Sequence, residues 1–192
     1  MGEIDKKFEK CVRLQNSDSF QVKLYVGDKN IEGLKQFDCN NNVINRYVRK
    51  NLRKQATAPG NGVMVMTDSA ENDRLIGFFT LSSHSLCKGL LSPVVSSIGN
   101  TTMIPVVKLT MFGIDRSYQK KGLGIRLMNQ ALAKTLSVSE SVGCAGLYLE
   151  AAHDAITFYQ NRFNFVPLDK SDTGSKHVPM FLHLNVITGM LA

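Results

Sequence analysis

The stretch "DRSYQKKGLGIRLMNQALAKTL", residues 115–136, places Gly122 and Gly124 in a basic turn that leads directly into a periodic helix. The preceding stretch "PVVKLTMFGID", residues 105–115, has the apolar character of a strand. A glycine turn at a helix N-terminus lets the backbone approach a ligand closely and leaves several N–H groups without partners. Because the helix dipole also favours negative charge there, the sequence predicts a phosphate-binding loop.

Two common phosphate loops do not fit these residues. A nucleotide P-loop needs Gly-Lys followed by Ser or Thr, and that sequence is absent after the glycines. The dinucleotide fingerprint GxGxxG needs a third glycine where this chain has Leu127. A plain strand-to-helix turn explains one glycine, but it explains less well the tandem cations Lys120 and Lys121, which either add charge to the site or are simply solvated.

Hydrophobic periodicity predicts alternating strands and helices on both sides of the loop. We expect strands over 20–26, 63–67, 74–83, 105–115, 144–151, 163–168 and 178–186. We expect helices over 40–55, with Asn40 or Asn41 as N-cap, over 123–136 and over 153–163. Residues 85–102 have mixed character, which predicts a loop or a short helix.

The loop "QKKGLG" resembles the Q/R-x-x-G-x-G/A pyrophosphate loop of the GNAT superfamily of acetyl-CoA-dependent N-acetyltransferases. Further on, "AITFYQNRFNFVPL" is similar to the family segment in which A-x-x-F-Y precedes G-F, with Asn164 in place of the glycine. Asn tolerates a left-handed backbone, so we expect the turn to persist. The resemblance covers about residues 20–186 and implies one α/β acetyltransferase domain within 1–192. Its sheet would be mixed, mostly antiparallel and flanked by helices, with splayed central strands.

The resemblance implies acetyl-CoA as co-substrate and no metal. In the family, the strand before the loop pairs with the pantetheine arm, which corresponds here to Met111, Phe112, Gly113 and Ile114. Backbone N–H groups of the loop would hold the pyrophosphate, which corresponds to Gln119, Lys120, Lys121, Gly122, Leu123 and Gly124. Gly113 lies inside a strand, which indicates a bulge or a close ligand approach. Independently, no Cys or His spacing in the chain is typical of a zinc site.

The matching family position for the catalytic acid is Tyr159, which would protonate the departing thiolate. The alternative is core packing, because Ile156, Tyr159 and Phe163 share a helical stripe. A backbone N–H near Phe112 would stabilise the oxyanion. The sequence shows no evident general base, although Glu150, at a predicted strand end, is a candidate through water. The four histidines, His84, His153, His177 and His183, form no constellation and are expected to be structural or solvated.

Within the superfamily, the chain most resembles toxins of bacterial toxin–antitoxin pairs that acetylate aminoacyl-tRNA and stop translation. The residues that carry this likeness are "LKQFDCNNNVINRYVRK", similar to their F-D-C/S-G-x-x-x-L-D-x-(F/Y)-(L/I) pattern, and "LIGFFTLSS". The resemblance implies charged tRNA and a cognate antitoxin as partners, with a homodimer as a further expectation. Two alternatives stay open: acetylation of a small-molecule or protein amine, and a non-enzymatic basic module that binds RNA or a partner.

Charge agrees with an RNA partner without requiring one. The net charge is +7, which favours a polyanionic partner or serves solubility. The predicted helix over 40–55 presents a set of cations that would contact phosphates or form a solvated face: Arg46, Arg49, Lys50 and Arg53. The N-terminal "MGEIDKKFEK" lacks the apolar core of a signal peptide, and no long apolar run exists, so we expect a cytoplasmic protein without membrane association.

Overall fold

The computed structural model describes residues 19–27, 30–95, 101–168 and 175–192. Within these residues, one seven-stranded sheet has the order β1-β2-β3-β4-β5-β7-β6. The strands are β1 (Phe20–Leu24), β2 (Asn61–Asp68), β3 (Arg74–Cys87), β4 (Met103–Ile114), β5 (Gly146–Ala152), β6 (Val166–Pro167) and β7 (His177–His183). Strands β4 and β5 are parallel, and the other neighbours are antiparallel. The predicted mixed, mostly antiparallel sheet is therefore confirmed.

Six α-helices lie in the described residues: α1 (Asn42–Lys50), α2 (Leu52–Thr57), α3 (Lys88–Leu91), α4 (Leu123–Val142), α5 (Ile156–Phe163) and α6 (Leu184–Leu191). The N-cap of α1 is Asn41, whose side chain accepts hydrogen bonds from the N–H groups of Val43 and Ile44. The prediction of one continuous helix over 40–55 is wrong, because the chain divides into α1 and α2 at Asn51.

The ends of two predicted strands also differ from the structure. Strand β3 continues to Cys87 and leads into α3, so the predicted loop begins later than residue 85; residues 96–100 lie outside the described part. The last strand ends at His183, whose ring nitrogen accepts a hydrogen bond from the N–H of Asn185 at 3.0 Å. This side-chain cap begins α6, a helix that sequence periodicity did not predict.

The two faces of the sheet carry separate clusters of buried side chains. Alternation along β2 sends Met64 and Met66 to one face, while Val63 and Val65 point to the other. Helix α4 covers the first face with an apolar stripe: Leu123, Leu127, Met128, Ala131 and Leu132. Helices α1 and α2 cover the second face together with the residues before them: Phe37, Val48 and Leu52. The glycine loop and the cationic helix thus approach the sheet from opposite faces.

The central strands diverge, as predicted. Strands β4 and β5 pair only where Val107–Leu109 faces Leu147–Leu149, although both strands continue further. A β-bulge lies at this point, because Thr80 pairs with Met111 and Leu81 pairs with Leu109, which leaves Thr110 without a register partner on β3. Its hydroxyl donates to the Thr80 carbonyl at 3.1 Å. The divergence opens a cleft between β4 and β5.

Gly113 has a role different from the predicted bulge. It pairs regularly with Phe78, while the bulge lies at Thr110. A Cβ atom on Gly113 would lie 3.2 Å from Cγ2 of Ile44 and 3.3 Å from Cε1 of Phe78. The small residue therefore lets α1 pack closely against β4, a contact between distant parts of the chain.

Candidate active site

The cleft between the diverging strands has a volume of about 470 Å³. Its apolar wall includes Met111 and Phe112 from β4 and Phe158 and Tyr159 from α5. Its polar end includes Lys108, Glu150 and His177. Of the four β4 residues expected to bind the pantetheine arm, Met111 and Phe112 line the cleft, whereas Gly113 and Ile114 are buried beside it. Their backbone groups continue the same strand edge.

The glycine loop enters α4 with the geometry of an anion site. Lys120 and Gly122 have left-handed backbones, with φ of +60° and +79°. No hydrogen-bond acceptor among the described residues faces the N–H groups of residues 120–124, whereas the next N–H, that of Ile125, donates to the Gly122 carbonyl at 3.0 Å. Five consecutive N–H groups are thus available to a ligand beside the positive end of a 20-residue helix.

The two glycines of the loop differ in what they require. Gly122 needs its backbone freedom because its φ is positive. Gly124 does not, because a Cβ atom there would meet only Phe158 Cζ, at an ordinary contact distance of 3.8 Å. The fold itself would accept a side chain at position 124. The open space at Gly124 therefore has no structural purpose within the protein, which is consistent with a ligand that occupies it.

The side chains of the loop have distinct positions. Gln119 turns inward, and its Nε2 donates to the carbonyls of Ile114 at 2.9 Å and Cys39 at 3.3 Å. Lys121 is exposed and places its Nζ 4.9 Å from the ring centroid of Tyr118. Lys120 is also exposed. The hydrogen bonds of Gln119 thus stabilise the loop, while the two cations add positive charge at its surface.

Tyr159 has a packed ring and also lines the cleft. The residue is 8% exposed, and its ring meets Phe158 and Phe165 edge to face at 5.3 Å and 5.5 Å. Burial raises the pKa of Tyr159 to about 12. The phenol is therefore protonated at neutral pH and can donate a proton or a hydrogen bond into the cleft. Core packing and a place at the cleft are compatible for this residue.

Asn164 ends α5 as expected for a glycine substitute. Its backbone is left-handed, with φ of +59°, and its N–H donates to the Gln160 carbonyl at 2.9 Å. The N–H of Phe165 donates to the Tyr159 carbonyl at 3.2 Å, which completes a Schellman-type turn. The predicted persistence of this turn is confirmed, and the turn fixes the orientation of the helix that carries Tyr159.

Glu150, the candidate base, is held in a polar chain at the far end of the cleft. Its carboxylate accepts from Lys108 Nζ at 3.0 Å and from the Tyr148 hydroxyl at 3.0 Å. Burial opposes the charged form, but the hydrogen bonds from Lys108 and Tyr148 outweigh it and lower the pKa of Glu150. Burial of the Tyr148 hydroxyl raises its pKa, and the nearby Glu150 charge raises it further. Sequence reasoning missed Lys108, for which the available signal was a lysine inside an apolar strand.

The histidines have separate roles. His84 stacks on Tyr148 with ring centroids 5.6 Å apart, His153 contacts the Ser175 carbonyl at 2.9 Å, and His183 caps α6. His177 differs from them, because its exposed side chain lines the cleft beside Glu150. The expectation of a structural or solvated role thus fits three histidines and is incomplete for His177.

The four cations expected to contact RNA are all exposed, but they do not form one stripe. Arg49 donates to the Phe37 carbonyl at 2.8 Å, and Arg53 donates to the Gly27 carbonyl at 2.9 Å. Arg53 also lies in α2, beyond the helix break. Arg46 and Lys50 make no ion pair or hydrogen bond with any residue that the structure describes. Among the residues that the structure describes, these two side chains thus have no charged partner.

In the described ranges, no group of three or more His, Cys, Asp or Glu side chains is placed to hold a metal ion. None of the helices described is both long and apolar enough to cross a bilayer.

Residues 32–184 match the acetyltransferase (GNAT) domain family, which covers most of the chain. The chain belongs to the GNAT acetyltransferase family. The divergent strands β4 and β5 and the glycine loop at the start of α4 both lie within the matched residues. The match extends from the residues before α1 to the first residue of α6, so it contains every candidate site residue named above.

Among its relatives, this GNAT chain is 25% identical over 119 residues to a tRNA-acetylating toxin of Mycobacterium tuberculosis, covering 62% of this chain and 69% of that protein. A crystal structure of a bacterial toxin superimposes with a TM-score of 0.83 at 32% identity, covering 90% of this chain and 94% of the other. The toxin AtaT complexed with acetyl-methionyl-tRNAfMet superimposes with a TM-score of 0.77 at 23% identity, covering 90% and 99%. At that identity, the likeness to AtaT shows the fold alone.

Proposed function

We propose that this GNAT enzyme transfers the acetyl group of acetyl-CoA to the α-amino group of an aminoacyl-tRNA, and that it thereby blocks translation as a toxin. The observation that carries the proposal is a combination of two features: five N–H groups at the start of α4 that face no acceptor among the described residues, and two cations on α1, Arg46 and Lys50, that form no ion pair with those residues. The relative from Mycobacterium tuberculosis is named a tRNA-acetylating toxin, which supports this choice of acceptor.

The backbone supports acetyl-CoA binding along β4 and at the glycine loop. After Leu109, the edge of β4 that faces β5 has no strand partner among the described residues, so its N–H and C=O groups can pair with the pantetheine amides. The N–H groups of residues 120–124 would bind the pyrophosphate, with Lys120 and Lys121 adding charge. The open space at Gly124 would let the phosphates approach the helix end.

The chemistry requires one bond to form and one to break. The acceptor nitrogen attacks the thioester carbonyl carbon, the C–S bond breaks, and the thiolate takes a proton from Tyr159. The amine loses its extra proton to water or to a group in the cleft, and Tyr159 is reprotonated by solvent. A backbone N–H of β4 near Phe112 would stabilise the oxyanion in between. With a pKa of about 12, Tyr159 is in its protonated form at neutral pH, as this step requires.

The exposed cations of α1 would dock tRNA through its phosphates. Arg46 lines a shallow apolar depression with Val43, Tyr47 and Met111, and Met111 also lines the main cleft. A phosphate bound by Arg46 would therefore lie close to the cleft entrance. Such contacts position the RNA without reading its sequence, so the identity of the amino acid would be read inside the cleft.

The proposal also includes the location of the enzyme, its domain organisation and its protein partners. We place the enzyme in the cytoplasm, where charged tRNA is found, as one acetyltransferase domain with a core over about residues 20–186. A cognate antitoxin and a homodimer are the proposed protein partners. In support, a mutant of AtaT is described in complex with the C-terminus of its antitoxin AtaR and acetyl-CoA.

The decisive experiment incubates the enzyme with radiolabelled acetyl-CoA and, in parallel, with total charged tRNA, deacylated tRNA, free amino acids and polyamines. We expect label only in charged tRNA, and we expect it to be lost when the ester bond is hydrolysed. Tyr159→Phe is the matched inactive control, because it removes one oxygen and keeps the packed ring. Label in a polyamine or a free amino acid would favour a small-molecule acetyltransferase, and no label with any acceptor would favour a binding module.

A further inference from the structure

Residues Phe37–Cys39 lie shortly before α1 in the chain and also contact the first residues of the glycine loop. We call these three residues the bridge segment. Phe37 anchors it, because its side chain is fully buried and its ring meets that of Phe78 edge to face at 5.7 Å. The two residues after it, Asp38 and Cys39, lie between the start of the loop and the first turns of α1. Their polar groups make contacts to both.

On the loop side, three residues hold the bridge segment. The Asp115 carboxylate, only 3% exposed, accepts from the Asp38 N–H at 3.1 Å, while its other oxygen accepts from the N–H and hydroxyl of Ser117. The N–H of Arg116 donates to the Asp38 carbonyl at 2.7 Å. Gln119 Nε2 donates to the Cys39 carbonyl at 3.3 Å. The bridge segment is thus bonded to the first residues of the loop that carries the free N–H groups.

On the helix side, Asn45 is the main contact. Asn45 is 6% exposed and lies on the inner face of α1. Its Oδ1 accepts from the Cys39 N–H at 2.8 Å, and its Nδ2 donates to Asp38 Oδ1 at 2.8 Å. One turn later, Arg49 donates to the Phe37 carbonyl at 2.8 Å. The carboxylate of Asp38 therefore has Asn45 on one oxygen and the Arg116 guanidinium at 3.3 Å on the other.

This geometry connects two surfaces that the proposed function assigns to different substrates. The loop would hold the pyrophosphate, and α1 would hold tRNA phosphates. The network is partly buried, because Asn45 and Asp115 are shielded from solvent while the Asp38 side chain is 29% exposed. Moving one side would leave the buried polar groups of Asn45 or Asp115 without partners, so the network resists partial rearrangement. A ligand that fixes the loop therefore also restricts the position of α1.

We infer that Asn45 and Asp38 are positioning residues that couple acetyl-CoA binding at the loop to the placement of α1 for RNA. The inference rests on the proposed function for the identity of the two ligands. The coupling is reciprocal, so RNA docked on α1 strengthens acetyl-CoA binding by the same factor. Neither residue lines the cleft, so their effect is exerted through the loop and the helix.

The test compares the wild type with Asn45→Ala by amide hydrogen exchange, with and without acetyl-CoA. In the wild type, we expect acetyl-CoA to slow exchange in residues 120–126 and, by about fivefold or more, in α1. In Asn45→Ala, we expect the loop to remain protected while the added protection of α1 disappears. Protection of α1 that came from direct contact between acetyl-CoA and Val43 or Ile44 would instead persist in the variant. Asn61→Ala is the control, because Asn61 joins β2 to Gln55 of α2 by a similar 2.7 Å side-chain bond.

A second measurement uses deacylated tRNA, which binds without reacting. We expect acetyl-CoA to tighten tRNA binding about fivefold or more in the wild type and in Asn61→Ala, and to have no effect in Asn45→Ala. Asp38→Asn, which keeps the size of the side chain, is a milder second variant if Asn45→Ala does not fold.

The outcomes separate this inference from the proposed function. If acetyl-CoA protects the loop while α1 is unaffected, or if α1 is equally protected in wild type and Asn45→Ala, the coupling is refuted and the acetyl-CoA site stands. If calorimetry finds no acetyl-CoA binding by the wild type, the proposed function fails and the coupling fails with it.

Discussion

Substitution of Gly124 by glutamate should separate folding from acetyl-CoA binding, because the structure predicts that it raises the stability of the fold and lowers the affinity for acetyl-CoA. A Cβ atom at this position would meet only Phe158, at 3.8 Å, and the backbone φ is not positive. Replacing glycine in a helix by a residue with a side chain gains up to about 0.5–1 kcal/mol. A carboxylate in the first helical turn adds about 0.3–1 kcal/mol through the helix dipole. The two gains together come to about 0.8–2 kcal/mol, so Gly124→Glu should unfold about 2–8 °C higher than the wild type.

The same carboxylate lies where the pyrophosphate is proposed to bind. At about 6 Å, each pair of like charges costs between about 0.7 and 2.8 kcal/mol, for effective dielectric constants from 80 down to 20. Acetyl-CoA affinity should thus fall at least about tenfold, which corresponds to about 1.4 kcal/mol. Gly124→Ala, which adds volume without charge, should have a smaller effect on affinity and should also be at least as stable as the wild type.

Calorimetric titration with acetyl-CoA and thermal unfolding of the same samples give both quantities. Gly122→Ala is the contrasting control: with φ of +79°, any side chain there is strained and should cost about 1–2 kcal/mol of stability. A folded Gly124→Glu protein with wild-type acetyl-CoA affinity would refute the assignment of the pyrophosphate to this loop.

Three further predictions follow from the site. In steady-state kinetics, Tyr159→Phe should lower turnover about 100-fold or more, while acetyl-CoA affinity and stability stay near those of the wild type; intact turnover would mean that the residue is only a core aromatic. Wild-type turnover should show no loss from Tyr159 ionisation below about pH 11, because an acid with a pKa of about 12 stays protonated there. Charge reversal at Arg46 and Lys50 should weaken tRNA binding and reduce the slope of log affinity against log salt concentration by about two, whereas reversal at the exposed Lys134 of α4 should change neither. An unchanged slope in the Arg46 and Lys50 variant would mean that α1 is a solvated face. Asn164→Ala should cost about 1 kcal/mol of unfolding free energy while Asn164→Gly should not, and equal stability of the two variants in chemical denaturation would contradict the left-handed cap.

The elements that sequence reasoning predicted well depend on local chemistry. The turn before α4 needs a left-handed residue at Gly122, and the end of α5 needs one at Asn164; both requirements are visible in the residues themselves. Asn40, considered from the sequence only as a possible N-cap, stands where the toxin pattern has glycine and is also left-handed, with φ of +64°. Asn is the residue other than glycine that most readily adopts this conformation, so the substitution preserves the backbone in both places.

The features that were missed depend on contacts between distant segments. The position of a bulge is decided by the register of two strands, so the sequence of β4 alone could not distinguish Thr110 from Gly113. Arg49 and Arg53 looked equivalent to Arg46 in a helical projection. Only the fold brings the Phe37 and Gly27 carbonyls within their reach. The bridge segment was recognised as a family pattern, but its role as a contact between the loop and α1 could not be derived from spacing.

The titratable groups of the cleft also bear on which amines can be acetylated. Glu150 has a lowered pKa and two hydrogen-bond donors, so it is a weak base, and Tyr159, with a pKa of about 12, is already protonated and cannot accept a proton. Neither of these two groups is suited to deprotonate an ammonium, so an acceptor that arrives as a neutral amine is favoured. At pH 7.5, an amine with a pKa near 8 is about one quarter neutral, whereas a lysine side chain with a pKa near 10.4 is neutral in only about one molecule in a thousand. That difference of about 200-fold favours an α-amino group over a lysine or a polyamine, and it agrees with an aminoacyl-tRNA acceptor on grounds independent of the charge of α1.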